Sequence, residues 1–250
     1  MTQSDSVLQF GANAYGKPAT ALVILRETIL GREAFDRAFK EYSLRWKFKR
    51  PTPSDFFRTM EESSGVDLDW FWRGWFYSTD HVDISIDNIV HGTLNTKDPR
   101  IEKEREREEE AEEPTYLTDR RNAGIDKFVE VDPSLLDFYN ENDEFAYGDK
   151  QIEAYEKEQE ELEDWEREAL KSKDNFYYLT FTNHGGLVMP IIIELTYESG
   201  ETEIMRFPAE IWRRSPKTLT KLIMTDKVIQ SVELDPFRET ADSDLSLIHI

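Results

Sequence analysis

Hydrophobic positions in the first third of the chain recur at the spacing of amphipathic helices. Between Pro18 and Leu30 the apolar side chains lie three or four residues apart, which predicts a helix that ends at Gly31. The same spacing predicts three more helices, the first of them short. Their inward-facing residues are Phe35, Ala38, Phe39 and Tyr42 in the second helix, Phe56, Phe57 and Met60 in the third, and Leu68, Phe71, Trp72, Trp75 and Phe76 in the fourth.

The third and fourth helices have recognisable start signals. Thr52 is a capping residue, Pro53 suits the first helical position, and the charge of Asp55 favours the positive end of a helix. Asp67 is a capping residue for the fourth helix. The aromatic residues of the fourth helix recur at helical spacing, which is typical of packing against neighbouring elements rather than of a ligand cage.

After Asp80 the hydrophobic period changes from helical to alternating. Val82, Ile84 and Ile86 alternate with polar residues, which predicts a strand over 82–90. Further strands are predicted over 176–182, 191–197, 203–207 and 228–234, with a tight turn over 198–201 in which Gly200 adopts a positive φ. The pattern predicts an α+β protein in which helices precede an antiparallel β-sandwich-like domain.

Acidic residues are concentrated in the middle of the chain. Residues 97–175 contain 28 Asp and Glu against 13 Lys and Arg, while the whole chain contains 52 against 31 and has a net charge of -21. This composition predicts an insertion between two neighbouring strands, with a solvated helix or a disordered run at 102–113 and an exposed helix at 152–173. A solvent-exposed insertion without a binding role is favoured over a docking surface or a calcium site. The calcium site fails because residues 137–149 do not fit an EF-hand loop.

Composition excludes several classes of protein and of site. An acidic chain lacks the basic surface that nucleic acids or anionic membranes require. No apolar run approaches the ~20 residues of a membrane span, and residues 1–6 do not resemble a signal peptide. The absence of cysteine excludes disulfides, thiolate metal sites and cysteine nucleophiles.

Short motifs that identify many enzymes are absent. The sequence contains no His-Glu-x-x-His, no phosphate-binding glycine loop and no Gly-x-Ser-x-Gly. The four histidines are His81, His91, His184 and His249, and none has a second histidine or a glutamate at the spacing of a helical zinc pair. His81 follows the last predicted helix at a turn between Asp80 and Asp83, where a surface hydrogen bond is expected.

A longer series of motifs nevertheless crosses residues 11–80 in a defined order. The motifs are Tyr15 with Lys17, Leu30-Gly31 with Phe35, Tyr42, Asp55-Phe56, Ser64-Gly65 with Asp67-Leu68, and Trp75. In order and spacing they resemble the zinc aminopeptidases of the aminopeptidase N family, which are gluzincins. Pro18 is a departure, because the family commonly has glycine at that position.

The resemblance implies a domain organisation. Residues 1–80 would form the C-terminal helical part of a thermolysin-like catalytic domain, and residues 81–96 the first strand of a β domain. The acidic, partly helical or disordered insertion would occupy residues 97–175, and the β-sandwich-like domain would continue over 176–244. Residues 245–250 are interpreted as a sequencing artefact.

The resemblance also implies a catalytic role for Tyr15. In this family a zinc-bound water attacks the peptide carbonyl with a glutamate as general base. The family tyrosine donates a hydrogen bond to the oxyanion of the tetrahedral intermediate. The alternative interpretation of Tyr15 is a loop tyrosine whose hydroxyl bonds to the protein itself.

The zinc ligands, the general base and the Gly-x-Met-Glu-Asn loop of this family precede the tyrosine, and none is found in this sequence. The expectation is therefore a C-terminal fragment of a larger enzyme, with Met1 an internal methionine. Such a fragment would bind no zinc and would be inactive alone; zinc and the peptide substrate would belong to the parent, together with the missing N-terminal part of the chain. The alternative is a non-catalytic peptidase-like scaffold, or a binding module that uses the acidic insertion to hold a protein partner.

Overall fold

A computed structural model describes residues 8–244 and 247–249, without the side chains of residue 141 and of residues 247–249. The fold mixes helix and sheet, with 47% helical and 20% strand residues and two small antiparallel sheets, so the predicted α+β class is confirmed. The chain divides into two compact units. Residues Thr93–Lys173 form one, called here the acidic unit, and the rest of the chain forms the main unit.

Four helices begin the main unit. They are α1 (Lys17–Ile24), α2 (Arg32–Trp46), α3 (Pro53–Ser64) and α4 (Asp69–Tyr77). α1 continues in both directions through π-helical turns at Ala12–Gly16 and Leu25–Ile29, so helical structure begins before the predicted start at Pro18. α2 spans 15 residues and is longer than the short helix predicted there. Gly31 separates the first two helices with a φ of +78°, a conformation that favours glycine.

Local capping explains where α3 and α4 begin. The carboxylate of Asp55 accepts hydrogen bonds from the amide and the hydroxyl of Thr52, both at 2.7 Å. Asp67 accepts a hydrogen bond from the amide of Asp69 at 3.1 Å. Gly65 ends α3 in the left-handed conformation with a φ of +75°. The predicted start signal of α3 is therefore confirmed, whereas at α4 the N-cap position is occupied by Leu68 rather than by Asp67.

Two sheets follow the helices in the main unit. Their strands are β1 (Ile84–Thr93), β2 (Asn175–Asn183), β3 (Ile191–Tyr197), β4 (Thr202–Phe207), β5 (Thr218–Thr225), β6 (Ile229–Leu234) and β7 (Leu247–His249). One sheet has the order β1-β2-β5 and the other the order β4-β3-β6-β7. The turn between β3 and β4 contains Gly200 with a φ of +83°, as predicted.

Two strands had no counterpart in the prediction. β5 pairs with β2 over eight residues, yet Ile223 is its one buried residue in the part of the chain that the structure describes. Because most of its side chains are exposed or half-buried, its sequence lacks a strong hydrophobic period. β7 lies in the range interpreted as a sequencing artefact and pairs with β6, while residues 245, 246 and 250 lie outside the described residues.

One hydrophobic core joins the helices to both sheets of the main unit. Phe71, Trp72 and Trp75 of α4 belong to the same buried cluster as Tyr177 of β2 and Leu195 of β3. The predicted packing role of the aromatic residues is therefore confirmed. Residues on both sides of the predicted boundary between 80 and 81 contribute to this core.

A hydrogen bond inside the core also connects the two sheets. The buried hydroxyl of Tyr177 on β2 accepts a hydrogen bond from the amide of Ile229 on β6, at 3.0 Å. Because β2 and β6 belong to different sheets, this bond ties the sheets together inside the core. The hydroxyl thereby has a partner in an environment where an unpaired polar group would be destabilising.

Besides a 3₁₀-helix at Pro133–Leu135, the acidic unit contains six α-helices and little buried surface. They are α5 (Pro99–Glu112), α6 (Leu117–Asn122), α7 (Phe128–Val131), α8 (Phe138–Glu141), α9 (Asp149–Glu161) and α10 (Asp164–Ala169). Asp98 is the one buried residue in the described part of this unit. The single helix predicted over 152–173 is wrong, because the chain becomes extended at Leu162 and restarts at Glu163. The amide of Glu163 donates to the side chain of Glu166 at 2.9 Å and so begins a new helix.

No helix among the described residues has both the length and the apolar composition needed to cross a lipid bilayer. The helices with the most charged residues lie in the acidic unit, where α5 has no buried residue. The main-unit helices bury only one side each and carry charged residues on the other, as the exposed arginines of α2 illustrate.

Replacing residues 94–173 with a short Asn-Gly turn is expected to leave the main unit folded. β1 and β2 are neighbours in one sheet, so a tight turn can replace the long connection between them. Calorimetry should show a cooperative transition within a few degrees of the original one, and circular dichroism should show less helix. Loss of the cooperative transition would contradict the division into two units.

Candidate functional site

Tyr15, the predicted catalytic residue, lies in the π-helical turn Ala12–Gly16 that precedes α1. Its side chain is 68% exposed. The ring meets Phe10 edge to face, with the ring centroids 5.9 Å apart. Among the described residues its hydroxyl has no hydrogen-bond partner, so the alternative of a loop tyrosine bonded to the protein has no support from these contacts.

The turn that carries Tyr15 is organised by backbone contacts. The amide of Lys17 donates to the carbonyl of Ala12, five residues earlier, instead of the four that an α-helix uses. The side-chain amide of Asn13 donates to the carbonyl of Leu8 at 2.8 Å, and this bond ties the turn to the preceding residues. π-helical turns are uncommon in proteins, but those that occur are often found at functional sites.

A group of three carboxylates lies at the junction of α3 and α4. Glu61, Asp67 and Asp69 each place a carboxylate oxygen within 4.8 Å of the others. Glu61 accepts a hydrogen bond from the amide of Leu68 at 3.0 Å, which links the end of α3 to the start of α4. The buried indole nitrogen of Trp72 lies beside the Glu61 carboxylate without completing a hydrogen bond to it.

Glu61 is the electrostatically perturbed member of this group. Burial raises the pKa of its carboxyl group above the ordinary value, and the nearby charge of Asp69 acts in the same direction. The hydrogen bond from Leu68 opposes both effects by stabilising the ionised form. A cavity of about 620 Å³ adjoins the group, and its lining includes Arg58 and Arg73.

Glu61→Gln is expected to gain stability relative to the parent chain as pH rises above about 4, the ordinary pKa range of glutamate. The raised folded-state pKa of Glu61 means that its ionised form is disfavoured in the folded protein, so ionisation destabilises the fold. Free energies of unfolding measured in denaturant between pH 3.5 and 7 test this expectation.

Asp55→Asn is the matched control with the opposite sign. The hydrogen bonds from Thr52 hold the pKa of the Asp55 carboxyl below its usual range. Its ionised form therefore stabilises the fold at neutral pH, and this contribution is lost as pH falls through the carboxyl range. Parallel pH dependence in the two variants would contradict the electrostatic account of Glu61.

A second polar group, which the sequence analysis missed, joins β1 to the end of β2. The hydroxyl of Ser85 donates to Asp87 and lies 2.8 Å from Nε2 of His184. Thr182 also donates to Asp87, and these bonds lower the pKa of the Asp87 carboxyl. Residues 85 and 87 lie on one face of a strand, but their partners come from far along the chain, so the sequence has no local signal for the group.

The order of these contacts differs from that of a hydrolase triad. In a Ser-His-Asp triad the carboxylate orients the imidazole, and the imidazole takes the serine proton. Here the carboxylate of Asp87 instead accepts from the serine hydroxyl itself. Ser85 is therefore held by hydrogen bonds, and the arrangement is that of a structural network.

The described residues do not form a catalytic zinc site with histidine ligands. His81 is 63% exposed at its side chain, and its Nε2 lies 3.8 Å from the Asp83 carboxylate, which is too far for the surface hydrogen bond predicted there. His91 contacts Asn175 and His184 contacts Ser85, so the three histidines have separate surroundings. The side chain of His249 lies outside the described residues. Glu61, Asp67 and Asp69 offer oxygen ligands, whereas catalytic zinc sites generally include histidine nitrogen.

The purified 250-residue chain is expected to hold no stoichiometric zinc. The reason is the donor set, because a catalytic zinc site requires three protein ligands around one ion. Elemental analysis after incubation with zinc and desalting checks this, with hydrolysis of aminoacyl anilides measured on the same sample. One tightly held zinc per chain with chelator-sensitive hydrolysis would contradict it.

Comparison with known proteins identifies no family for this chain. No protein-family model matches it. No curated protein sequence matches it significantly either. The similarity of residues 11–80 to the aminopeptidase N family therefore rests on the motifs themselves, and the role of Tyr15 is a hypothesis that follows from them.

Proposed function

We propose that residues 11–80 belong to the thermolysin-like catalytic domain of a zinc-dependent aminopeptidase that releases N-terminal amino acids from peptides. The observation that carries the proposal is the ordered set of motifs from Tyr15 to Trp75. The surroundings of Tyr15 support it, because an exposed side chain whose hydroxyl lacks a partner among the described residues is available to a substrate.

Tyr15 would act as a hydrogen-bond donor to the oxygen of the scissile carbonyl. Negative charge develops on that oxygen as the carbonyl carbon becomes tetrahedral, so the hydrogen bond strengthens toward the transition state. A phenol is suited to this role because it remains protonated near neutral pH, with an ordinary pKa of about 10. An interaction that strengthens in this way raises kcat rather than substrate affinity alone.

Zinc would supply the Lewis acid of this reaction and would be held by residues other than those described here. The described histidines lie apart from one another, and the carboxylate group of Glu61, Asp67 and Asp69 contains no histidine, so neither set fits a catalytic zinc site. The contribution of this chain is accordingly limited to the oxyanion donor, the helical framework around it, and the shared core with the two sheets.

Expression of the complete coding sequence tests the proposal. A His-Glu-x-x-His motif with a later glutamate ligand is expected before Tyr15, and the product should hydrolyse aminoacyl anilides in a chelator-sensitive reaction. A complete protein that lacks this motif, or that contains zinc and hydrolyses no aminoacyl anilide or peptide, would contradict the proposal.

One observation favours the second candidate function, a binding module without catalytic activity. The acidic unit exposes ten large apolar side chains between residues 116 and 147. They are Tyr116, Leu117, Ile125, Phe128, Val131, Leu135, Leu136, Phe138, Tyr139 and Tyr147. Exposed apolar side chains that form a contiguous patch are typical of surfaces that contact another protein. The same expression experiment separates the candidates, because a binding module would lack the zinc motif.

A further inference from the structure

We propose that Pro18 sets the π-helical turn Ala12–Gly16 and thereby determines the direction in which Tyr15 projects. Pro18 is a positioning residue in this account. The structural part of the inference depends only on contacts in this chain. Its catalytic consequence rests on the proposed function of Tyr15.

Proline is poorly compatible with the interior of a regular α-helix. It lacks an amide hydrogen, and its ring collides with the carbonyl of the residue four positions earlier, which here is Ala14. The chain nevertheless continues as a helix, since Lys17 has helical angles with φ of -58° and ψ of -47°. A wider turn immediately before Pro18 would place the preceding carbonyls farther from the proline ring. The π-helical turn therefore lies at the position where a proline inside a helix would otherwise collide with a preceding carbonyl.

The contact between Phe10 and Tyr15 is a second, independent indication of the wider turn. The two rings lie 5.9 Å apart although the residues are five positions apart in sequence. In an α-helix each residue advances about 100°, so positions five apart point about 140° away from each other. A π-helical turn contains more residues than an α-helical turn, so it brings positions five apart closer to one face of the helix and allows the edge-to-face contact.

The position of Tyr15 relative to the protein core follows from the same geometry. α1 buries Ala21 and Ile24 against the rest of the main unit and so fixes the orientation of the helix. One additional residue in the preceding turn rotates everything before it by about 100° around the helix axis. Without this turn the hydroxyl of Tyr15 would point to a different side of the helix.

Fluorine NMR of the 250-residue chain with 3-fluorotyrosine at position 15 tests the structural part. Phe10→Leu is expected to shift the fluorine resonance, because it removes the ring beside Tyr15. The same substitution should cause no shift in a Pro18→Ala background. Pro53→Ala is the matched control, since Pro53 occupies the first turn of α3, where proline causes no collision. In that background the effect of Phe10→Leu should persist.

The fluorine shifts distinguish a turn that depends on Pro18 from one that does not. An equal effect of Phe10→Leu with and without Pro18 would overturn the inference. Should Pro18→Ala fail to fold, which melting temperature would reveal, Pro18→Gly removes the ring in the same way and gives the same two outcomes.

Kinetics of the complete enzyme test the catalytic consequence. A displacement of about 1 Å at a reacting group can lower the rate about 10²-fold, so Pro18→Ala should reduce kcat by up to about that factor. It should have no further effect in a Tyr15→Phe background, because the displaced hydroxyl is then already absent. An unchanged kcat in Tyr15→Phe, combined with the expected fluorine shifts, would reject the proposed function while leaving the role of Pro18 in the turn intact.

Discussion

Tyr15→Phe is expected to lower kcat of the complete enzyme by about 10²–10³, the usual effect of removing one oxyanion donor. The substitution deletes only the hydroxyl, so the edge-to-face contact with Phe10 is retained. The loss should appear in kcat more than in KM, because the hydrogen bond strengthens as charge develops on the carbonyl oxygen. Steady-state kinetics with an aminoacyl anilide measure both constants.

Zinc content and melting temperature should remain unchanged in the same variant. Tyr15 is not expected to be a metal ligand, and its hydroxyl has no partner among the described residues whose loss would destabilise the fold. Tyr77→Phe is a matched control, because Tyr77 is another exposed tyrosine of the helical part, with 60% of its side chain accessible. A kcat within a few-fold of the parent value in Tyr15→Phe would reject the oxyanion role.

Phe71→Ala is expected to destabilise the main unit by about 3–5 kcal/mol, the range for removing a fully buried phenylalanine ring. Phe71 is 0% exposed. Its ring centroid lies 5.2 Å from that of Trp72, 5.7 Å from that of Trp70 and 5.9 Å from that of Trp75. Truncation would therefore leave a cavity inside an aromatic cluster rather than a surface depression. Equilibrium unfolding in urea, followed by tryptophan fluorescence, measures the change.

Phe237→Ala supplies the comparison for Phe71, because Phe237 belongs to the same unit and is 62% exposed. Its unfolding free energy should change by no more than about 0.5 kcal/mol, as is usual for surface substitutions. A loss below about 1 kcal/mol in Phe71→Ala would mean that the aromatic cluster contributes less than its burial indicates.

The elements that the sequence predicted well are those determined by neighbouring residues. Thr52 and Asp55 are three positions apart and cap α3 by direct contact, so the start of that helix could be predicted from the local sequence. The strand over 191–197 was predicted with the correct bounds, because both its faces are largely buried and its sequence is strongly apolar. β5 was missed for the opposite reason, since its pairing with β2 is distant in sequence and its side chains are mostly accessible.

The candidate site was predictable in part. Tyr15 was identified through a family resemblance, which names a residue without describing its conformation. The π-helical turn around it depends on the effect of Pro18 on the preceding carbonyls, a steric effect that hydrophobic spacing does not register. The contact of Ser85 with His184 was not predictable either, because it requires knowing that the start of β1 lies beside the end of β2.

The position of the acidic unit between β1 and β2 has a consequence for how the chain folds. These strands are neighbours in a sheet, but the 81 residues 94–174 separate them. If those residues were structureless, closing the loop would oppose pairing by about 2–3 kcal/mol more than a turn of about four residues does. α5 and α9, the two longest helices of the acidic unit, can form within about a microsecond. Their early formation would shorten the effective loop between β1 and β2. The acidic unit would then influence the rate at which the first sheet assembles, although it forms none of the central part of that sheet.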